Sequence, residues 1–539
     1  MGLKRKSIQR CSKWAENYRI MGKPFPGAFS FVHHPWLREI HDAQDEEVVG
    51  QKAAQMGFTE VALNKTFFSI DVLQEAVLYI LPTDGDASDF SSSRFDPALE
   101  ASEHLRSMFT DVKNVGHKRA GSASLYVRGS RSRSQLKSIP AGRIMFDEYD
   151  EMNQKNMPLA LERGSGQVNI QNFILSTPTI EEHGINVRYK LSTMEDFHFR
   201  CPHCSKLIAL IDLDDCLVVT ADSEEDPKIL ESYLRCPRPS CHGRIEHEEK
   251  PHLLKDGIWV PAESGSTIRG FHITQLYSSA KAGRPSSLAK AVLRARTSPE
   301  AEQELYNSKM GSTHEVKGAR VLQSDIKECQ GGYLMRDTGL SESTIITMGV
   351  DVQPTQLFYE IDEWTTNASA YFQDINLCST PRLLRAGTVA EFEDLDPLMH
   401  TFGCFAVIDA QPEKRNSVKF CRRWSGRAWY CFYTDHTRSK EIVEDEDKIT
   451  VDRTTWLDIS QGRIKKHNMR LPQDLPIQWQ DHIKAPVRIY TEDSMGNPVG
   501  RYVSGNKSDD FAHARNYSEI ALSMALSFAN NQDMTDAPN

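Results

Sequence analysis

Between residues 46 and 180, short apolar runs alternate with amphipathic stretches. The runs fall at 47–49, 77–81, 124–127, 143–146 and 172–175, and helical periodicity falls at 59–74, 86–108 and 157–162. Strands separated by helices pair in parallel, because each helix carries the chain back across one face of the sheet. The alternation therefore predicts a parallel α/β domain. Ahead of it, residues 1–45 read as a helical lead-in. Behind it, residues 312–343 are rich in glycine and charge, lack periodicity and read as a linker. Strand-like runs resume at 344–352, 356–365, 368–376 and 404–408, and a helix runs from about 508 to 529, so a second α/β domain begins near 344.

Bulk properties narrow the function. The chain of 539 residues is long enough for roughly two to four domains. Hydrophobic residues at 39% and charged residues at 26% suit ordinary globular cores. A formal net charge of −10 excludes a uniformly basic DNA-coating protein, so any DNA contact must use local patches. The stretches 128–137 (RGSRSRSQLK) and 414–427 (KRNSVKFCRRWSGR) offer such patches, though each also reads as a solvated surface segment. No run of 18 apolar residues exists, so no membrane span is expected. The basic N-terminus lacks an apolar stretch and is not a secretory signal, and Gly2 alone does not make a myristoylation site. Eleven cysteines, mostly isolated, suit a reducing cytoplasm with one metal site. The polar residues 531–539 read as a frayed tail.

Three segments in order suggest a nucleotide site. Gln51-Lys52-Ala53-Ala54-Gln55-Met56-Gly57-Phe58-Thr59-Glu60 follows a short strand and opens a helix. A phosphate loop needs that layout, with backbone N–H groups and a helix N-terminus aimed at the anion, a lysine to neutralise it and a hydroxyl for Mg²⁺. The usual pattern fails here: Phe58 stands where lysine is expected, and the first glycine is missing. Lys52, at the front of the loop, can reach the same phosphates from the other side. Next, 143–148 is an apolar strand ending in Asp147 and Glu148. One carboxylate there can hold the water shell of Mg²⁺, and the other can act as general base on the attacking water. Finally, the run Ile174-Leu175-Ser176-Thr177 ends a buried strand in hydroxyls, where Ser176 and Thr177 can sense the terminal phosphate. Each segment alone is an ordinary strand end; their order is what carries the reading.

Cys201-Pro-His-Cys204 and Cys236-Pro-Arg-Pro-Ser-Cys241 have the spacing of two zinc knuckles, and four thiolates give Zn²⁺ a closed tetrahedral site. His203 and His242 stand beside them and leave the ligand set open, as is the choice between fold support and DNA contact for the ribbon.

A third constellation lies in the second domain. Asp351 sits in a central apolar strand, Asp409 ends another, and Asp509-Asp510 open the last helix. A charge in such a strand costs several kcal/mol unless it is paired or bound to metal. Carboxylates from two strands and a helix start suit a two-metal phosphodiester cleavage site on an RNase H-like fold. The third acid is Asp509 or Asp510; His513 follows on the same helix face.

The motifs HHPWLREIHDA, QKAAQMGFTEVALN, SSSRFDPAL, IMFDEYDEM and LSTPT give residues 14–179 a resemblance to the large terminase subunits of tailed phages, in the lambda gpA-like branch. The ribbon position, GFHITQLYS and the G-[IV]-D context of Asp351 extend it to roughly 14–530. The resemblance implies an ASCE-type P-loop NTPase sheet domain, a zinc-ribbon insert and an RNase H-like nuclease. It divides the chain into a lead-in at 1–45, an ATPase domain at 46–196, a ribbon at 197–262, a helical part completing the ATPase region at 263–311, a linker at 312–343, a nuclease at 344–530 and a tail at 531–539.

The resemblance also implies roles. Lys52 is the phosphate lysine and Thr59 the Mg²⁺ ligand, with Gln55, Gly57 and Glu60 in the same ATP-binding loop. Asp147 holds metal, Glu148 is the base, and Trp36 lies near the adenine. Many members carry a trans-acting arginine about ten residues before the aspartate; here Lys137 stands there, so Arg133 and Arg131 are alternatives. Asp351, Asp409 and Asp510, or Asp509, hold Mg²⁺ or Mn²⁺, and Cys201, Cys204, Cys236 and Cys241 hold structural Zn²⁺. The expected work is ATP-driven movement of double-stranded DNA into a procapsid and cutting of concatemeric DNA. The expected partners are a terminase small subunit, the portal protein and further copies in a ring, in the host cytoplasm and transiently at the portal vertex. A helicase or remodeller without nuclease activity and a non-catalytic zinc-ribbon DNA-binding scaffold are the alternatives.

Overall fold

The structure is a computed structural model that describes residues 10–22, 26–109, 112–137, 139–167, 169–335, 345–364, 380–434, 442–492 and 498–535. The strand expected at 368–376 lies outside the described residues. The chain forms two compact units, Met1–His314 and Glu315–Asn539.

In the first unit the strand–helix alternation produces a parallel sheet. Its central strands run in the order Glu195–Arg200, Arg269–Ile273, Glu47–Lys52, Gln171–Ser176, Arg143–Asp147, Val77–Leu81 and Ala123–Gly129, each parallel to the next. Strands Val77–Leu81, Arg143–Asp147 and Gln171–Ser176 are buried along their whole length, because helices cover both faces. Short antiparallel strands flank both edges. The strand carrying Ser176 lies between the Lys52 strand and the Asp147 strand, so all three bring their C-terminal ends to one edge.

Two boundaries differ from the sequence expectation. Strand Glu195–Arg200 pairs with the main sheet, so the cysteine-bearing insert grows out of an ATPase strand and is not a separate block starting at 197. The region 263–311, expected to be helical, opens with strand Arg269–Ile273, which inserts directly beside the Lys52 strand. Its five residues were too short and too mixed to separate from loop by periodicity.

The second unit holds a sheet in the order Arg382–Val389, Leu357–Trp364, Ile345–Val352, Phe405–Asp409, Ala428–Thr434, Lys448–Asp452 and Val443–Asp445. Its first three strands are antiparallel, and Ile345–Val352, Phe405–Asp409, Ala428–Thr434 and Lys448–Asp452 are parallel. Helix Asp510–Thr535 crosses Ile345–Val352 at Gly349, where an added Cβ would come within 1.9 Å of the Ala514 carbonyl oxygen. That approach explains the glycine two residues before Asp351. Helix register is fixed by a buried network: Arg515 pairs with Asp362 at 2.9 Å and Glu519 at 2.8 Å, and Arg463 pairs with Glu519 at 2.7 Å. The stretch 312–343 is not simply a linker, for helix Gln323–Cys329 packs Ile326 and Cys329 into this unit's core. The last helix runs on to Thr535, into the expected tail.

Candidate active sites

The first site forms where the loop after Glu47–Lys52 meets the strand ends beside it. Gly57 takes φ 85° and Gln55 takes φ 62°, and a side chain on Gly57 would meet Leu37 at 2.6 Å. The loop is clamped from behind. Ala53 N–H donates to Ile273 O at 2.9 Å and Ala54 N–H donates to Ser308 O at 2.7 Å. Those two amides are therefore spent on the fold, and the turn 55–59 is left to face a ligand.

Lys52 Nζ donates to Glu148 Oε1 at 3.2 Å and to Thr177 Oγ1 at 3.3 Å, so the lysine spans the ends of three adjacent strands. Thr59 Oγ1 lies 3.5 Å from Asp147 Oδ1, and Tyr79 donates its hydroxyl to Asp147 Oδ2 at 2.7 Å. Asp147 is 1% exposed. Burial, then the neighbouring Glu148, push its carboxyl up to about 6, against Lys52, Tyr79 and Thr59. A cation at this position would relieve that cost. Glu148 takes φ 61°, a left-handed conformation that costs a non-glycine residue about 1 kcal/mol or more.

Lys52, Thr59, Asp147, Glu148 and Thr177 line a cavity of about 480 Å³, whose other walls include Met21, Phe29, His34, Leu37 and Phe90. An apolar chamber that ends in a lysine, a hydroxyl and two carboxylates has the dimensions and polarity of a nucleotide site. Burial pushes the His34 imidazole down to about 4, so it lines the cavity as a neutral ring.

Two expected members sit differently. Trp36 is fully buried behind the wall: its indole N–H donates to Met56 O, and its ring packs on Phe197 and Tyr277. His33, His34 and Leu37 line the cavity in its place. Glu60 reaches the cavity, yet its carboxylate is paired with Arg19 at 2.8 Å. Of the trans-acting candidates, Arg131 lines a neighbouring cleft together with Glu148 and Glu151 of its own chain; Lys137 and Arg133 are exposed and are not among the residues lining it.

Ser176 does not point to the cavity. Its hydroxyl accepts from Asp150 N–H at 3.0 Å and donates to Thr177 O. Asp150, which sequence reasoning missed, accepts from Thr179 N and Oγ1 at 2.9 Å and from Ile185 N at 2.7 Å. It ties the acidic strand end to the segment after Ser176. The signal was the second aspartate of DEYD, hidden beside the stronger pair.

In the insert, the sulfurs of Cys201, Cys204, Cys236 and Cys241 all lie within 4.8 Å of one another, and Cys201 and Cys241 Sγ are 3.9 Å apart. Tetrahedral zinc with bonds of about 2.3 Å spaces its sulfurs by about 3.8 Å, so the donors fit that ion. His203 Nε2 contacts Arg244 O at 2.6 Å and is turned to the backbone.

In the second unit, Asp351 is 3% exposed, and burial pushes its carboxyl up to about 7, with Asp409 and Asp510 adding to the shift. Burial likewise takes Asp409 to about 6. Gln353 Nε2 donates to Asp351 Oδ2, and His482 Nδ1 faces Asp510 Oδ2 at 3.4 Å. Asp509 is engaged otherwise: it accepts from Ser504 Oγ, pairs with His513 Nε2 at 3.4 Å and faces Arg453 at 4.0 Å. Burial raises Asp509, but His513, Ser504 and Arg453 together hold it well below the usual carboxylate range. Among the described residues, the four cysteines are the set whose ligand atoms gather within 4.8 Å, so Asp351, Asp409 and Asp510 stand in a more open arrangement.

The next helix, Lys414–Arg423, begins five residues after Asp409 and is tied to it by Ser417 Oγ donating to Asp409 O at 2.8 Å. Arg415, Lys419 and Arg422 form one exposed stripe, and among the described residues none has an ion-pair partner; Arg423, on another face, pairs with Glu393 and Asp396.

Comparison with known proteins agrees with both halves. The family model for the ATPase domain of phage terminase large subunit gpA matches residues 23–259, and the model for the endonuclease domain of terminase large subunit gpA matches residues 268–457. The chain is thus an ATPase joined to a metal-dependent endonuclease. It belongs to the gpA-like family of phage terminase large subunits, which package DNA and cut it. The matched segments contain the cysteine cluster, Asp351 and Asp409, whereas Asp510 lies beyond them. No curated protein matches. Among solved structures, the chain is similar to the HK97 bacteriophage large terminase, at 9% identity over 95% of this chain and 98% of that one, with a TM-score of 0.48. It is also similar to the large terminase of a thermophilic bacteriophage in complex with ADP, at 10% identity over 90% and 96%, TM-score 0.32. The large terminase nuclease of thermophilic phage G20c with bound magnesium covers 36% of this chain and 95% of its own at 11% identity, TM-score 0.24. Likenesses at these scores carry no weight beside the family match.

Proposed function

We propose that the cavity around Lys52 binds ATP and that the carboxylates of the second unit bind the metal ions of the nuclease. The single observation that supports the first half is Lys52 meeting both Glu148 and Thr177 at the edge where Asp147 and Thr59 lie. Lys52 and the turn 55–59 would hold the phosphates, and Thr59 and Asp147 would hold Mg²⁺, which supplies charge neutralisation between phosphate oxygens. Glu148 would take the proton of the attacking water once Lys52 moves to the phosphates. Thr177 would report the terminal phosphate, and Asp150 would pass that report to the segment 179–185.

In the second unit, Asp351, Asp409 and Asp510 would hold Mg²⁺ or Mn²⁺, which supplies an activated water and stabilises the leaving oxygen. Asp509 serves as the partner of His513. Zn²⁺ in the four-cysteine site would brace the insert. Double-stranded DNA is the natural substrate of both halves, held through its phosphates without sequence readout. Its partners would be the procapsid portal, a small terminase subunit and a ring of further copies, in the host cytoplasm. No described helix is long and apolar enough to cross a membrane.

The test is ATP turnover by the full chain beside Lys52→Ala and Glu148→Ala. Loss of at least about 100-fold in both supports the assignment. Turnover unchanged in both removes it.

A further inference from the structure

Among the described residues, Lys52 and Arg94 are the lysine and arginine that line the nucleotide cavity, and the proposed mechanism uses only Lys52. Arg94 also lines the adjoining cleft of about 450 Å³ alongside Glu148 and Arg131. Arg94 belongs to the wide turn Ser91–Phe95, which closes with π-type rather than α-type bonds. Such turns displace one residue from the helical surface and recur at functional sites.

The turn is keyed to the metal-side carboxylate. Phe90 stacks on Tyr79 at 5.1 Å between ring centroids, and Phe95 meets the same ring edge-on at 5.3 Å. Tyr79 in turn holds Asp147 at 2.7 Å. The rings before and beside Arg94 are thus fixed to the strand end that carries the acids. Arg94 itself is exposed and, among the described residues, has no ion-pair partner, although Asp86, Asp89, Glu148 and Glu151 line the cleft that it shares. Lys52, by contrast, is engaged by Glu148. A guanidinium left free beside a chamber for a triphosphate suits bidentate binding of phosphate oxygens, which a lysine cannot provide.

We propose that Arg94 is a catalytic cation of the ATPase and contacts the phosphates of ATP bound in its own chain, a role that rests on the nucleotide reading of this cavity. Its charge reaches the developing negative charge on the transferred phosphoryl group from an element other than the phosphate loop.

The experiment measures ATP turnover, binding of a non-hydrolysable ATP analogue, ATP-independent DNA cleavage and thermal unfolding for the full chain, R94A and R94K. The expected result is a turnover loss of about 100-fold or more in R94A and at least about 10-fold in R94K. Analogue binding changes by less than about tenfold, and cleavage and unfolding stay at the parent values. Turnover within twofold of the parent in either variant overturns the proposal. If it does so while Lys52→Ala and Glu148→Ala are inactive, the cavity reading stands and only the role of Arg94 falls. Mixing R94A with E148A separates own-chain action from action on a neighbour. No recovery is expected, and recovery of turnover in the mixture overturns the own-chain assignment.

Discussion

Lys52 and Glu148 form an ion pair of 3.2 Å across the edge of the first sheet, although 96 residues separate them in sequence. The pair holds the base and the phosphate cation together when no anion competes. Glu148→Gln should therefore free Lys52 while removing the base. The expected outcome is ATP binding equal to the parent or a few-fold tighter, with turnover lowered at least about 100-fold. Lys52→Ala should weaken binding by about tenfold or more, as one charge-assisted phosphate contact is lost. Titration with a fluorescent ATP analogue reads both.

Asp150 supplies a pH signature. Burial pushes its carboxyl up to about 6, against His183, the Ile185 N–H and Thr179. A carboxyl raised in the folded state contributes stability that is full below its unfolded value near 4 and is lost as pH rises through about 6. Asp150→Asn removes that contribution and also turns an amide N–H toward the donors of Thr179 or Ile185. The variant should lose on the order of 2 kcal/mol at pH 7 and show a flatter stability profile between pH 4 and 6, measured by denaturant unfolding.

The cysteine cluster makes a prediction about metal content. The purified chain should carry one zinc per molecule, and Cys204→Ser should lose it, read by elemental analysis. The loss should loosen the strands 217–218, 233–235 and 244–245, which among the described strands pair only with one another, and hydrogen exchange there should rise first.

The stripe Arg415, Lys419 and Arg422 places like charges at helical spacings of four and three residues, an arrangement that destabilises an isolated helix. An anionic partner would offset that repulsion in a chain of net charge −10. Changing the three residues to glutamine should reduce the slope of log DNA affinity against log salt by roughly 2–3 if each neutralises one phosphate. An unchanged slope assigns the stripe to the solvated surface.

The sequence made much of this legible. The strand alternation put Lys52, Asp147 and Ser176 at strand ends of a parallel sheet, and the buried runs Val77–Leu81 and Arg143–Asp147 formed as expected because a doubly covered strand needs no alternation. What stayed hidden depended on three-dimensional pairing. Strand Arg269–Ile273 inserts beside Glu47–Lys52 from more than 200 residues away, and no local pattern announces such a partner. The resemblance put Trp36 near the adenine, yet the ring buries itself against Phe197 and Tyr277. The choice between Asp509 and Asp510 is one of helix rotation, which periodicity leaves open; here His513 takes the first, and the second shifts with Asp351. Tyr79 and Arg94 were in plain view as a hydroxyl in an apolar strand and a basic residue in SSSRFDPAL, but their use follows from the Phe90–Tyr79–Phe95 packing.

The central claim is that one chain carries two separate acidic active sites. The most direct measurement is a paired assay of ATP turnover and metal-dependent DNA cleavage on Glu148→Gln and Asp351→Asn. The account predicts that Glu148→Gln abolishes turnover and leaves ATP-independent cleavage intact, while Asp351→Asn abolishes cleavage and leaves turnover intact. Cleavage persisting at the parent level in Asp351→Asn, or both activities falling together in each variant despite normal unfolding, would contradict it.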